Sequence, residues 1–492
     1  MSEEENNIQE EVVETPETTE EVVEEQAPVE EVKEEPVAET PKKKRGKKRW
    51  KDMTPEEKKK KRIRDIIISA AVIGLVVILV VSIIGAGLAG NKTNNEMIKN
   101  FEKVGSTYTP SIDADTGYYT FTIPTNKTFK ILQLTDIHIG AGGFSVQKDN
   151  WALNAVAKMI QDVKPDLVVV TGDVAYPVPF QAGTFNNERA AVTFANLMEQ
   201  LGVYYALAYG NHDTEAYAFY SREEISERVY LNKDKYPHCL FQLGPDEVDG
   251  CGNYIVNVKN ELGIITQSVV IMDSHSYTDG DWLGMAWKYD NIHQNQVDWY
   301  EAQINALNAK NKTQFASLSG TQKADYAIAC GLDLLDLEAK FGANGMSINS
   351  SIYFHIPLVE YKDVYDQWSE SGKDVGTNYV YNFGFAGESK KVVYCGMHED
   401  NLFETAQKLK STTHIFCGHD HLNNFSITYY GKDGNKDTDF GITLTYGLSI
   451  DYLAYAGIWK KVEQRGGTII LVNPNGSITL NADSQRKLKD IA

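Results

Sequence analysis

Lys130-Ile131-Leu132-Gln133-Leu134-Thr135-Asp136-Ile137-His138 and Leu167-Val168-Val169-Val170-Thr171-Gly172-Asp173 are two short apolar runs that each end in polar, chemistry-bearing residues. Between them, Trp151 to Val163 carries apolar residues at helical spacing and is stopped by Pro165. Strand, amphipathic helix, strand is a βαβ unit, and continuous apolar strands mark a buried parallel sheet. The pattern extends outward. Arg189 to Leu201 is helical, and Val203 to Ala208 is a strand ending at Gly210-Asn211. Upstream, Tyr118 to Ile123 alternates as a strand does; downstream, strands are expected at Gly263–Met272, Ser351–Phe354, His414–Phe416, Gly441–Thr445 and Thr468–Val472. The fold class expected is α/β, in one domain over 126–482, with no internal repeat.

Five polar segments follow the C-terminal ends of these strands, the edge where loops of open α/β sheets converge. They are Asp136-Ile137-His138, Gly172-Asp173, Gly210-Asn211-His212-Asp213, His355 and Gly418-His419-Asp420-His421. Asp136 and His138, two apart on extended chain, leave the same side and can reach one ion. Asp173 has two oxygens and can bridge two cations; Gly172 before it leaves room for close approach. Asn211 offers a neutral carbonyl oxygen, and His212, the next residue, faces elsewhere, towards substrate. His355 ends an apolar run cut off by Pro357; His275, at the end of another run, is the competing choice. His419 and His421 can address adjacent ions. Two Asp, one Asn and four His thus suffice for two metals that share a ligand, with one His left for chemistry. Two such metals are the usual device for attacking a phosphate ester with metal-bound hydroxide. His238, His293, His398 and His414 read as surface, supporting or core residues.

The ordered set D-x-H, G-D, G-N-H-[DE], H, G-H-x-H resembles the calcineurin-like metallophosphoesterase superfamily over Phe129 to Val472. The stretches Gln296-Val297-Asp298-Trp299-Tyr300, Phe354-His355-Ile356-Pro357 and Gly418 to Phe425 look most like its purple-acid-phosphatase-like branch. The resemblance implies a four-layer α/β/β/α sandwich with a dinuclear centre at one edge. It implies Asp136, His138, Asp173 and His421 around a first metal, and Asp173, Asn211, His355 and His419 around a second. It implies that His212 contacts the scissile phosphate and protonates the leaving oxygen. Two features depart from that pattern. Tyr176 stands where purple acid phosphatases carry a Tyr ligand, yet His138, which those enzymes usually lack, is also present. Residues 307–351 form an insertion, helical over Leu332–Phe341, that either caps the site or only packs.

The remaining chain sets the location. Of 492 residues, the first 41 hold sixteen Glu and one Lys without an aromatic residue, a composition that cannot bury enough surface to order itself. Residues 42–65 reverse the sign, with fourteen Lys and Arg against four Asp and Glu. Ile66 to Leu88 is then free of charge over 23 residues, about 34 Å as a helix, enough to cross a hydrocarbon core. Basic residues on its N-terminal side only place the N-terminus in the cytoplasm and the rest outside, in a single-pass membrane protein with 89–125 as a stalk. A signal peptide cleaved near Gly87-Leu88-Ala89 is the rival reading; the long run and long preceding tail favour an uncleaved anchor. Five Cys without regular spacing argue against a disulfide-built fold.

The expected function is a membrane-anchored, extracytoplasmic hydrolase of small phosphate esters with two metal ions, Mn, Fe or Zn. The ectodomain's charge, −15 once the −15 tail and +10 basic block are removed from −20, disfavours polymeric nucleic acid as a partner. The alternatives are a phosphodiesterase or nucleotide hydrolase on the same fold, or a surface binding protein whose metal site does no chemistry.

Overall fold

The computed structural model describes residues 48–278, 288–388 and 392–491. The expected acidic tail and the start of the basic block lie outside these residues. Two compact units divide at Ala71/Val72. The first, as described, holds a short helical turn, Trp50–Asp52, and the N-terminal part of helix α1 (Pro55–Ile98).

The second unit contains two sheets. One is built on β3 (Phe129–Leu134), β4 (Leu167–Thr171) and β5 (Tyr205–Ala208), all parallel, with β13 (Gly466–Val472) antiparallel to β3 and flanked by β14 (Ile478–Thr479) and β15 (Gln485–Lys487). The other runs β1 (Ser111–Ile112), β2 (Tyr119–Ile123), β6 (Tyr254–Asn260), β7 (Ile265–Ile271), β8 (Ser350–Tyr353), β10 (Thr412–Cys417), β12 (Ile442–Tyr446), β11 (Ser426–Tyr429), β9 (Tyr379–Phe383). Strands β7, β8, β10 and β12 are mutually parallel, so their C-terminal ends share one edge. Buried side chains of both sheets, among them Leu134, Val170, Tyr353 and Phe416, meet in one core, which covers β3 and β4 as the sequence requires. Helices α2 (Val146–Val163) and α3 (Glu188–Leu201) pack on the smaller sheet through apolar faces such as Leu153, Val156, Phe194 and Leu197. Helices α4 (Gln294–Ser317), α7 (Val359–Ser371) and α8 (Leu402–Leu409) cover the larger one. The result is the expected four-layer α/β/β/α sandwich.

Three boundaries differ from the expectation. The apolar run 66–88 sits inside a helix extending to Ile98, where Asn94 and Ile98 are buried against α2 and α3. Residues 89–125 are not a free stalk, because β2 pairs with β6 and joins the larger sheet. The C-terminal strand β15 reaches Lys487, past the expected domain end. The insertion does not cap the site. Helices α5 (Gly320–Cys330) and α6 (Leu334–Phe341) pack with Phe315 on Ile264, at the start of β7, the opposite end from the ligand loops.

Candidate metal centre

The loops after β3, β4 and β5 bring Asp136, His138, Asp173, Asn211 and His212 together; those after β8 and β10 bring His355, His419 and His421. All except His212 are buried. The ligating atoms of Asp136, His138, Asp173 and His421 lie within 4.8 Å of one another. His138 Nε2 is 3.1 Å from Asp173 Oδ2, and His421 Nε2 is 3.4 Å from Asp136 Oδ1. The same Asp173 oxygen is 3.2 Å from His355 Nε2, which also faces Asn211 Oδ1 at 3.1 Å and His419 Nδ1 at 3.3 Å. One imidazole nitrogen cannot satisfy three acceptors with one proton; a cation among them can. The donor set, oxygen and imidazole without thiolate, fits Mn, Fe or Zn. His275, the competitor of His355, lies apart, stacked on His293 and hydrogen-bonded to Gln296.

Backbone geometry marks the same place. Eight described non-glycine residues have positive φ. Lys164 and Lys410 are helix C-caps, where such a turn is ordinary. Asp136 (φ 51°), His138 (53°), Asp173 (55°) and His419 (76°) are expected ligand positions. Left-handed backbone at four candidate ligands costs energy at each and persists only where surrounding structure imposes it, as at functional sites. Gly172 owes its place to a neighbour: a Cβ there would stand 2.5 Å from His355 Nδ1. The glycine therefore makes room for an imidazole.

Electrostatics follow from this crowding. Burial raises the Asp173 carboxyl, but the charges of His355 and His212 and hydrogen bonds with His138 and His355 hold it well below the usual range. Burial lowers His138, yet Asp451 and Asp173 outweigh it and push it up to about 9. His355 and His421 also rise, against burial, through their carboxylates.

Several supporting residues escaped the sequence reading. Asp451 lies 3.2 Å from His138 Nδ1 and 3.0 Å from His421 Nδ1, so it abuts both rings on the side away from Asp136 and Asp173. These approaches are off-line for hydrogen bonds, leaving both nitrogens and Asp451 Oδ2 without a partner. Such carboxylate–imidazole contacts orient metal ligands. Glu215 Oε1 is 2.7 Å from His212 Nδ1, an i,i+3 signal available in the sequence. Asp213 accepts the backbone N–H groups of Asp173, Ala175 and Gly210 at 2.7–3.0 Å, tying two ligand loops together. The Tyr176 hydroxyl points at the Ala454 carbonyl (3.4 Å), while its ring stands 4.8 Å from those of His138 and His212. A cleft of about 680 Å³ opens beside the centre, bordered by His212, Tyr289, His419, His421 and Tyr455.

The sequence matches the family model of the calcineurin-like phosphoesterases over residues 129–437. The chain belongs to the calcineurin-like phosphoesterase family. Within this family it is purple-acid-phosphatase-like. It is 24% identical over 328 residues to "Probable inactive purple acid phosphatase 14" of Arabidopsis thaliana, covering 62% of this chain and 69% of the relative. It is 23% identical over 352 residues to "Probable inactive purple acid phosphatase 28" of the same plant, covering 67% and 72%. It is 24% identical over 330 residues to "Phosphatase DCR2" of Saccharomyces cerevisiae, covering 64% of this chain and 47% of that one. As a calcineurin-like phosphoesterase the protein carries a buried Asp/His cluster suited to a divalent metal.

Proposed function

We propose that the protein is a membrane-anchored hydrolase of phosphate esters with two metal ions, its catalytic domain outside the cytoplasm. The observation that carries this reading is that Asp173 faces both histidine clusters through one oxygen, 3.1 Å from His138 and 3.2 Å from His355. Asp136, His138, Asp173 and His421 would hold one ion, and Asp173, Asn211, His355 and His419 the other. Ions held there would supply positive charge to the phosphoryl oxygens and lower the pKa of a water nucleophile. Tyr176, its hydroxyl turned to Ala454, forms a wall of the site. His212, partly exposed at the cleft and held by Glu215, is placed to donate a proton to the leaving oxygen or to clamp the phosphate. The anchor is α1, whose apolar window is fully exposed and whose basic flank precedes it.

The relatives named as inactive favour a second reading, in which the domain holds metal without turning over esters. Hydrolysis of a chromogenic phosphate ester by the full-length chain, with chelator and then metal added back, decides between them. Chelator-sensitive turnover supports the enzyme; bound metal with no turnover supports the alternative. Running monoester and diester substrates in parallel assigns the ester type.

A further inference from the structure

Three ligand loops leave the metal centre and end in exposed phenylalanines. Phe144 follows His138 by six residues, Phe180 follows Asp173 by seven, and Phe219 follows His212 by seven. Their relative exposures are 54%, 93% and 62%. Phe185 stacks on Phe219, with ring centroids 6.1 Å apart. The loops are tied to one another: the Phe144 N–H donates to the Ala182 carbonyl (3.0 Å) and the Phe219 N–H to the Phe185 carbonyl (2.9 Å). Isolated exposed apolar residues need no explanation, but a cluster of aromatic tips on linked loops does.

Phe144, Phe219 and Pro179, the residue before Phe180, adjoin α1. A cavity of about 290 Å³ is walled on one side by Val80, Ile83 and Ile84 and on the other by Phe144, Phe185 and Phe219. The helix is fixed there. A Cβ on Gly87 would stand 2.9 Å from the Gly143 nitrogen, so the two backbones are nearly touching. Further along the helix, Asn94 donates to the Val146 carbonyl (3.3 Å), and Thr193 donates to Asn91 (2.9 Å). Val80 lies about 12 Å before the end of the apolar run at Leu88, by helical rise. Loops that touch Val80 therefore stand at the depth of the run's outer end, where headgroups give way to acyl chains. Arg189 lines the same cavity. Aromatic tips with a nearby cation suit a lipid surface bearing anionic phosphates.

We propose that the Phe144, Phe180 and Phe219 loops dock the catalytic domain on the outer leaflet of the bilayer. The metal centre, on the same loops, then works beside the lipid surface. This rests on the reading of α1 as a membrane anchor. The test uses the full-length chain reconstituted into nanodiscs whose phospholipids carry bromine on the acyl chains. Comigration of protein with nanodiscs is scored first. Phe180→Trp is then compared with Ile328→Trp, an exposed position in the insertion at the far end of the sheets. Each variant's emission is read as its difference from the unsubstituted chain. The expected result is a blue-shifted difference emission for Phe180→Trp, quenched about twofold or more by brominated lipid, with the Ile328→Trp difference emission unquenched. Comigration with equal signals from both variants overturns the docking and leaves the anchor intact. Failure to comigrate removes the anchor, and the docking with it.

Discussion

His414 and His421 are seven residues apart, one inside β10 and the other in the loop that follows it, and the fold treats them oppositely. In the N-terminal half of the strand, His414 stacks over Phe416 with no carboxylate near it among the described residues, and burial pushes it down to about 4. In the loop after the strand, burial acts the same way on His421, but Asp136 and Asp451 raise it well above its ordinary value. A second pair of places on the two edges shows the same contrast. At the far edge, Asn311 closes its own hydrogen bonds on both sides of Ile265, at 2.8 and 2.9 Å. At the ligand edge, buried carboxylates and imidazoles crowd within 3.1–3.4 Å of one another. The Asn311 contact is satisfied by neutral hydrogen bonds; the ligand edge gathers carboxylates and imidazoles whose charges depend on one another.

The strongest blow to this contrast is Asp173→Asn. It removes the carboxylate shared by both clusters and is expected to lower turnover about 10³-fold or more, with both ions lost by elemental analysis. Loss of a single ion would show that Asp173 serves one cluster only. His212→Ala is expected to keep the metal content and lose about 10²–10⁴-fold in turnover. Unchanged turnover would remove His212 from the chemistry. Asp451→Asn should weaken metal binding about 10–100-fold, measured by competition with a chelator, because the His138 and His421 rings lose their support.

Acidity probes the same difference. The His138 proton must leave before the ring can bind a cation, so metal affinity should climb as pH rises towards about 9, with proton release measurable by calorimetry in buffers of different ionisation heat. In the metal-free protein the sign reverses. The raised His138 value contributes stability below about 6.5 that is lost as pH rises through about 9. His414 behaves otherwise. The unfolded chain takes its proton near 6.5 and the folded chain only near 4, so stability falls as pH drops across that window. His414→Phe should recover on the order of 1–2 kcal/mol at pH 4, allowing for its partial exposure, with no change in metal affinity. Asn311→Ala should cost about 1–3 kcal/mol in chemical denaturation while leaving turnover per folded molecule unchanged.

Much of the ligand edge could be read in advance because its residues sit in short motifs at strand ends. The Asp136, Asp173 and Asn211 segments each follow an apolar run, and the fold brings all seven expected ligand positions together. What stayed hidden depends on contacts distant in sequence. Asp451 lies in Ser449-Ile450-Asp451, without a Gly or His companion, and reaches the centre only because Ser449 bridges Thr135. Strands β6, β9 and β11 were missed because turn residues and mixed polarity obscure their runs. The insertion's helix was legible, but its side of the sandwich was not, since that depends on the β6–β7 hairpin it packs against.

The centre is also a seam. Asp136, His138, Asp173 and Asn211 come from the smaller sheet, and His355, His419 and His421 from the larger. The contact of the His419 N–H with Asp136 spans 283 residues. The two halves of the site meet only when both sheets have docked, so an ion held by residues of both sheets would enter only after the sandwich is assembled. Metal uptake would then be a late step that follows the joining of the two sheets.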